Sequence, residues 1–338
     1  MKVNVIDLFA GPGGLGEGFF SYNDHGKYPF KGICSVEMEK HAFDTLTLRA
    51  FYRKLIQSDK DIPKEYYLYQ QSLSDAPCDL LTSEDWKEAQ NETLNLELGK
   101  NADKDLEIFS ELIEKYSKTL NTNPTVLIGG PPCQAYSLVG RARNKGKSDY
   151  VAEEDHRHFL YKEYLRIMEL FSPEIFVMEN VKGMLSSKVN GGDVFQRIIN
   201  DLETCGDGYQ LFSLKTGELF QQGKTSPKDF ILESENYGIP QARHRVIIVG
   251  IKSTFLTMTS IPKLTASPKV TVKEAIRSLP ILRSKFSNRS EYYKDNTIEN
   301  WKKNLQTSIS TLIESESSLS KVVTNELSKN LSAIIKGN

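Results

Sequence analysis

Val3-Asn4-Val5-Ile6-Asp7-Leu8-Phe9 runs without a break into Ala10-Gly11-Pro12-Gly13-Gly14-Leu15-Gly16. The first seven residues are mostly apolar and stop at glycines, the pattern of a buried strand entering a tight turn. Gly11 to Gly16 satisfy G-x-G-x-x-G, and Glu37 stands about 20 residues beyond the last of those glycines. Glycines let a backbone turn sharply and approach a ligand, and an acid after the next strand can accept from ribose hydroxyls. Any adenosine-bearing cofactor can use such a turn. The cluster therefore does not separate NAD from S-adenosylmethionine, and a purely structural glycine turn remains open beside both.

The pattern continues outward from that strand. Residues 33–37 form a second apolar run, followed by helical spacing from about 40 to 56. Residues 125–128 form a third, stopped by Gly129-Gly130-Pro131-Pro132, and residues 174–178 a fourth, preceded by a helical pattern over 158–171. Residues 245–251 give another. Nearly continuous apolar strands alternating with helices predict an α/β fold, a doubly wound, mostly parallel sheet covered on both faces. The stretch from roughly 57 to 122 is polar, with helical spacing over 106–120, and reads as a helical insertion between the second and third strands. After about residue 262 Ser, Lys, Asn and Thr dominate, with amphipathic patches at 301–313 and 319–335.

Composition limits the function classes. A chain of 338 residues holds one large domain or two modest ones. With 39% hydrophobic and 26% charged residues, an ordinary globular enzyme is expected rather than a disordered or fibrous chain. No apolar run approaches the roughly 20 residues of a membrane span, so no membrane partner is expected. The N-terminus lacks the apolar stretch and cleavage site of a signal peptide. Cys34, Cys78, Cys133 and Cys205 are widely spaced with no C-x-x-C pair. Neither a disulfide framework nor a metal site is expected, and reduced thiols suit a cytoplasmic protein. The net charge of −1 means that contact with nucleic acid must come from local basic patches.

Cys133 follows two prolines just past a buried strand, where α/β folds place ligands outside the carboxyl ends of the strands. Prolines stiffen that turn and remove two backbone donors. Ser137, Arg141, Arg143, Lys145 and Lys147 follow within fourteen residues, interleaved with Gly140 and Gly146. A basic, glycine-containing loop beside a thiol can close over a phosphate backbone. The plain alternatives are a buried structural cysteine and a solvated charge run.

Four segments together carry a family resemblance. Asp7-Leu8-Phe9-Ala10-Gly11-Pro12-Gly13-Gly14, Gly130-Pro131-Pro132-Cys133-Gln134-Ala135-Tyr136-Ser137, Glu179-Asn180-Val181 and Gln241-Ala242-Arg243-His244-Arg245 resemble, in order, motifs of the DNA cytosine-5 methyltransferases. The resemblance implies a Rossmann-like S-adenosylmethionine-dependent methyltransferase fold. It also implies methyl transfer from S-adenosylmethionine to C5 of cytosine in double-stranded DNA, of the kind found in restriction–modification systems.

On that resemblance Cys133 is the nucleophile that adds to C6 of cytosine, and Glu179 holds N3 and the exocyclic amine. Arg245 matches the arginine that reaches O2 of the base, and Arg243 orders the site or meets phosphate. Gln134, Ser137, Arg141, Arg143 and Gln241 are the expected contacts to DNA. For the cofactor, the resemblance implies Phe9, the turn Ala10, Gly11, Pro12, Gly13, Gly14 and Leu15, then Glu37 at the ribose and Met38 on the adenine face. Pro131 and Leu160 line the same pocket, Leu160 through Asp155-His156-Arg157-His158-Phe159-Leu160, which resembles the family's D-x-R-x-x-L stretch. The carboxylate normally found near the adenine amine stays open among Asp61, Asp79 and Glu97, because the insertion obscures the register.

The resemblance weakens toward the end of the chain. Thr271-Val272-Lys273-Glu274-Ala275-Ile276 fits, but no R-x-L-T-x-x-E-like motif and no G-N-x-V motif follows; Lys336-Gly337-Asn338 echoes the last only superficially. The expectation is a catalytic domain over 1–260 and the incomplete start of a target-recognition region over 261–338. A truncated product, a split enzyme completed by a second polypeptide carrying the late motifs, and a degenerate relative are all open. So are a catalytically silent DNA- or protein-binding subunit, an RNA substrate and, on the glycine cluster alone, an NAD enzyme.

Overall fold

In the computed structural model, the residues described are 2–70, 83–132, 160–189, 192–255 and 259–280, with 286, 295, 297–315 and a few positions between 323 and 330 of the tail. The chain divides into two compact units, residues 1–274 and 275–338.

The first unit is built on an eight-stranded sheet. Its strands are β1 (Val3–Leu8), β2 (Phe30–Glu37), β3 (Thr93–Asn95), β4 (Thr125–Gly129), β5 (Ile175–Val181), β8 (Tyr209–Phe212), β9 (Ile231–Glu233) and β10 (His244–Lys252). Between β5 and β8, β6 (Lys188–Val189) and β7 (Gly192–Asp193) form a small separate ribbon. The main order is β3-β2-β1-β4-β5-β10-β8, with β9 paired to β10. Pairings among β3, β2, β1, β4 and β5 are all parallel, whereas β10 runs antiparallel to β5, β8 and β9. This is a doubly wound, mostly parallel α/β sheet of Rossmann-like order.

Strand order reverses between β1 and β4. In open α/β sheets such a switch point opens a crevice outside the carboxyl ends of the strands. Here β1 ends in the glycine turn and β4 ends in Gly130-Pro131-Pro132, so both sequence motifs flank that crevice.

Alternation along β1 assigns its faces. Ile6 and Leu8 join Leu127, Phe176 and Met178 in the larger core, with Tyr164, Ile167 and Met168 from helix α6 (Leu160–Phe171) and Ile198, Ile199 and Leu202 from helix α7 (Val194–Thr204). Val5, Val126 and Ile128 pack on the opposite face with Phe20 from helix α1 (Gly14–Phe20). Each such side chain taken fully out of water contributes about 1.5–3 kcal/mol. Tyr164 is fully buried and donates its hydroxyl to Leu127 O at 3.1 Å, tying α6 to β4.

Helix α2 (Lys40–Gln57) begins where the Glu39 carboxylate accepts from Ala42 N at 2.7 Å, an N-terminal cap. The segment after it holds helices α3 (Lys64–Gln70), α4 (Glu84–Glu92) and α5 (Ala102–Thr122), and it also contributes the edge strand β3. α4 packs Trp86 and Ala89 against Leu48, Phe51 and Leu55 of α2. A short helix, α8 (Val272–Ile276), lies where the chain passes from the first unit to the second, and α9 (Ile298–Ser315) is the main described element of the second.

Candidate active site

β5 and β10 pair antiparallel, with Glu179 opposite Ile247 and Arg245 opposite Val181. That register sets Arg245 two residues along from the partner of Glu179, so both side chains project to one face. Arg245 Nε lies 2.8 Å from Glu179 Oε1, an ion pair whose N–H points away from good hydrogen-bond alignment. Arg245 Nη1 instead donates to His244 O at 2.8 Å, which fixes the guanidinium plane. Arg243 Nη2 reaches the same Oε1 at 3.5 Å, but Arg243 is half exposed, so solvent screens that contact. Glu179 thus carries two cationic neighbours on one oxygen. Its other oxygen, Oε2, lies 3.2 Å from where a side chain on Gly130 would begin.

The neighbouring residue locks the arrangement. Asn180 is buried, and its Nδ2 donates to Pro131 O at 3.2 Å while its Oδ1 accepts from Val181 N at 2.8 Å. Pro131 is buried and Pro132 partly so. The structure therefore brings Glu179, Arg243 and Arg245 together at the end of the Gly130-Pro131-Pro132 segment, although they are far apart in sequence. Cys133, Gln134, Ser137, Arg141, Arg143 and Asp155 lie outside the described residues. Gln241 is described and exposed, its N–H donating to Ile239 O at 2.8 Å.

Across the switch point, the glycine turn follows β1 with three successive left-handed positions: Phe9 (φ 56°), Gly11 (φ 57°) and Gly13 (φ 90°). Gly13 accepts this conformation without a Cβ clash. Phe9 does not, at a cost of about 1–2 kcal/mol, and strain of this kind collects at ligand sites. Ala10 N donates to Val36 O, and Gly11 N donates to Glu37 Oε2 at 2.8 Å. Glu37 Oε1 accepts from Glu39 N at 2.7 Å, so this carboxylate ties the turn to the end of β2. A side chain added at Gly11 or Gly14 would meet nothing within 4 Å, so the turn borders open space on its crevice side. A left-handed backbone followed by an acid at the end of β2 fits an adenosine-bearing cofactor. Pro12 and Met38 are exposed and Leu160 is half-buried at the start of α6, while Leu15 packs with Phe20 and Val5.

Two features escape sequence reading. The first is the end of β3, which sets Asn95, Leu96 and Glu97 beside β2. Asn95 Nδ2 donates to Glu37 O at 2.9 Å and Met38 O at 3.1 Å, and Glu97 pairs with Lys100 at 2.8 Å. Asp61 precedes α3 instead, and Asp79 lies outside the described residues. The second is the state of Asp7, which is 1% exposed with neither carboxylate oxygen hydrogen-bonded. Burial pushes its pKa up to about 8, against the opposing pull of Arg53, with Glu92 and Glu37 adding to the rise. Its Oδ2 would lie 2.5 Å from a Cβ on Gly16, so only glycine lets α1 pack onto β1 there. A conventional strand pattern gives no sign of such an acid, apart from its place before the glycines.

Among the described residues no group of side chains has the arrangement of a metal site, and no helix is long and apolar enough to cross a membrane. Cys34 and Cys205 are buried free thiols.

A family model described as C-5 cytosine-specific DNA methylase matches residues 68–335. The chain is 33% identical over 299 residues to the Type II methyltransferase M.Bpa9945I of Bacillus paralicheniformis, covering 83% of this chain and 61% of that protein. It is 30% identical over 197 residues to the Type II methyltransferase M.BspRI of Lysinibacillus sphaericus, covering 52% and 40% of the two chains. It is 33% identical over 162 residues to the Type II methyltransferase M.DdeI of Desulfomicrobium norvegicum, covering 47% and 33%. The chain spans at most about three fifths of the length of these curated relatives.

Proposed function

The chain belongs to the C-5 cytosine-specific DNA methylase family, and from that premise we propose that it methylates C5 of cytosine in double-stranded DNA, using S-adenosylmethionine and the thiol of Cys133. Its similarity to Type II methyltransferases supports a role in a restriction–modification system, acting on DNA in the cytoplasm. The observation that carries the reading is the Glu179 carboxylate, held by Arg245 and Arg243 and set against Gly130 at the entry to Pro131-Pro132-Cys133.

Cytosine C5 is a poor nucleophile, so the ring must first be activated. Attack of the Cys133 thiolate on C6 forms a C–S bond and drives the C5–C6 electron pair toward C5 and N3. Glu179 is the residue to face N3 and the exocyclic amine, passing a proton to N3 as that charge develops and accepting from the amine. Arg245 and Arg243 fix its carboxylate, with Arg245 directed to O2 of the base. Asn180 acts one step removed, through Pro131, as a positioning residue. S-adenosylmethionine, when bound, supplies the electrophilic methyl group. Phe9, the turn from Ala10 to Leu15, Glu37, Met38, Pro131 and Leu160 are the residues to hold it. Loss of the C5 proton and departure of the Cys133 sulfur from C6 then restore the aromatic ring. The target base must leave the duplex for this chemistry, at a cost of a few kcal/mol.

The test is transfer of tritium from labelled S-adenosylmethionine by the full chain, run in parallel on unmethylated duplex DNA and on tRNA. The expected product is 5-methylcytosine in the DNA. Label confined to tRNA, label on an exocyclic amine, or no label on either substrate would contradict the proposal.

A further inference from the structure

Beyond Glu179 and Arg245, away from the glycine turn, the molecule has a second concavity of about 720 Å³, within the range of ligand-sized pockets. Val181, Leu185 and Ile231 contribute apolar lining, and Lys182, Lys228 and Arg245 contribute cations. Ser186, Ser226 and His244 add polar groups.

Its electrostatics are one-sided. Among the described residues the lining contains no carboxylate. Arg245 is partly neutralised by Glu179, and His244 pairs with Glu235 at 2.9 Å. The nearby Asp229 carboxylate is turned away to accept from Ser226 N at 3.1 Å, closing a capping box at the short turn Pro227–Phe230. Lys182 and Lys228 are both exposed and pair with no carboxylate among the described residues. Two ammonium groups over an apolar lining suit an anion carried on a flat or sugar-like body.

Arg245 links this cleft to the catalytic carboxylate, since it lines the one and lies 2.8 Å from the other. A polynucleotide that delivers one base to Glu179 therefore has its adjoining backbone at the rim of this cleft. We infer that the cleft binds the nucleotide next to the extruded cytosine, with Lys182 and Lys228 gripping its phosphodiester and the Val181–Leu185–Ile231 lining receiving its sugar and base. This rests on the DNA reading above and adds to it a subsite whose two lysines lie outside the four sequence motifs.

Phosphate contacts release counterions, so each contributes about 0.9 to the slope of log K against log salt on duplex DNA. The measurement is binding of the full chain, with S-adenosylhomocysteine present, to a fluorescent pool of random-sequence 40-base-pair duplexes across a salt series. The double substitution K182Q/K228Q is expected to flatten the slope by about 1, the share of one neutralised phosphodiester, and K182R/K228R to restore it. The remote exposed substitution K104Q, on α5, is the control for general loss of charge and should leave the slope unchanged. Equal flattening by K104Q, or an unchanged slope in K182Q/K228Q with an unchanged melting temperature, would overturn the subsite. Methyl transfer to DNA by the wild-type chain with an unchanged K182Q/K228Q slope would remove the subsite alone. Absence of both DNA binding and transfer in the wild type would remove the DNA reading and the subsite with it.

Discussion

Asn180 Nδ2 donates to Pro131 O at 3.2 Å, so the residue beside Glu179 fastens the segment that runs on in sequence to Cys133, the proposed nucleophile. One buried side chain thereby couples Glu179 on β5 to Pro131, which follows β4 and stands two residues before Cys133 in sequence.

Replacing Asn180 with Leu removes that donor and leaves the Pro131 carbonyl buried and unpaired, at a cost of about 1–3 kcal/mol. The expected result is a lower denaturant midpoint together with a fall in kcat larger than any change in KM for S-adenosylmethionine. A variant that loses stability but keeps kcat would show that Asn180 only supports the fold.

Glu179→Gln keeps the size of the side chain and removes its charge. The two arginines then lose their common anion, and N3 of the base loses the group that would pass it a proton. Methyl transfer should fall by about 100-fold or more, on the usual scale for a positioned acid–base group. Binding of S-adenosylmethionine, read by calorimetry, should be nearly unchanged because the glycine turn lies across the switch point.

Glu37→Ala removes the acceptor for both Gly11 N and Glu39 N. Charge-assisted bonds of this type contribute about 1.5–3 kcal/mol each. Affinity for S-adenosylmethionine should drop by at least about tenfold, while DNA affinity measured without cofactor stays the same. Detectable NAD binding by the wild-type chain in the same calorimeter would count against the cofactor reading.

How much of this was readable beforehand follows from chain physics. β1 and β4 are buried on both faces, and β5 and β10 on one face with the other partly covered, so all four appear as apolar runs that the sequence marks to within a few residues. β3 is three residues, Thr93-Leu94-Asn95, at a sheet edge; nothing in so short and polar a segment distinguishes it from a loop. That is why the adenine-side position stayed open among Asp61, Asp79 and Glu97. The motif residues Glu179 and Arg245 were identifiable from the sequence, but their pairing depends on an antiparallel register that spacing does not encode. The Asn180–Pro131 bond and the cleft beside Lys182 are likewise products of tertiary packing.

Asp7 gives a pH prediction with a definite sign. Its folded pKa is raised to about 8 from an ordinary 3.8, chiefly by burial. Between those two values the folded state holds a proton that the unfolded state has released, so stability falls as pH rises through that window and levels off above it. Asp7→Asn, which cannot ionise, should therefore gain relative to wild type as pH goes from 5 to 8. Urea denaturation of both proteins across that range checks it. A stability difference that stays constant with pH would place the Asp7 pKa near its ordinary value.

The most direct test of the central claim is covalent trapping on DNA containing 5-fluorocytosine, which blocks release of the enzyme after methyl transfer. With S-adenosylmethionine present, the full chain should form a denaturation-resistant adduct that mass spectrometry maps to Cys133, and Cys133→Ala should form none. An adduct that persists in Cys133→Ala, or methylation by the wild type with no adduct at all, would contradict the account.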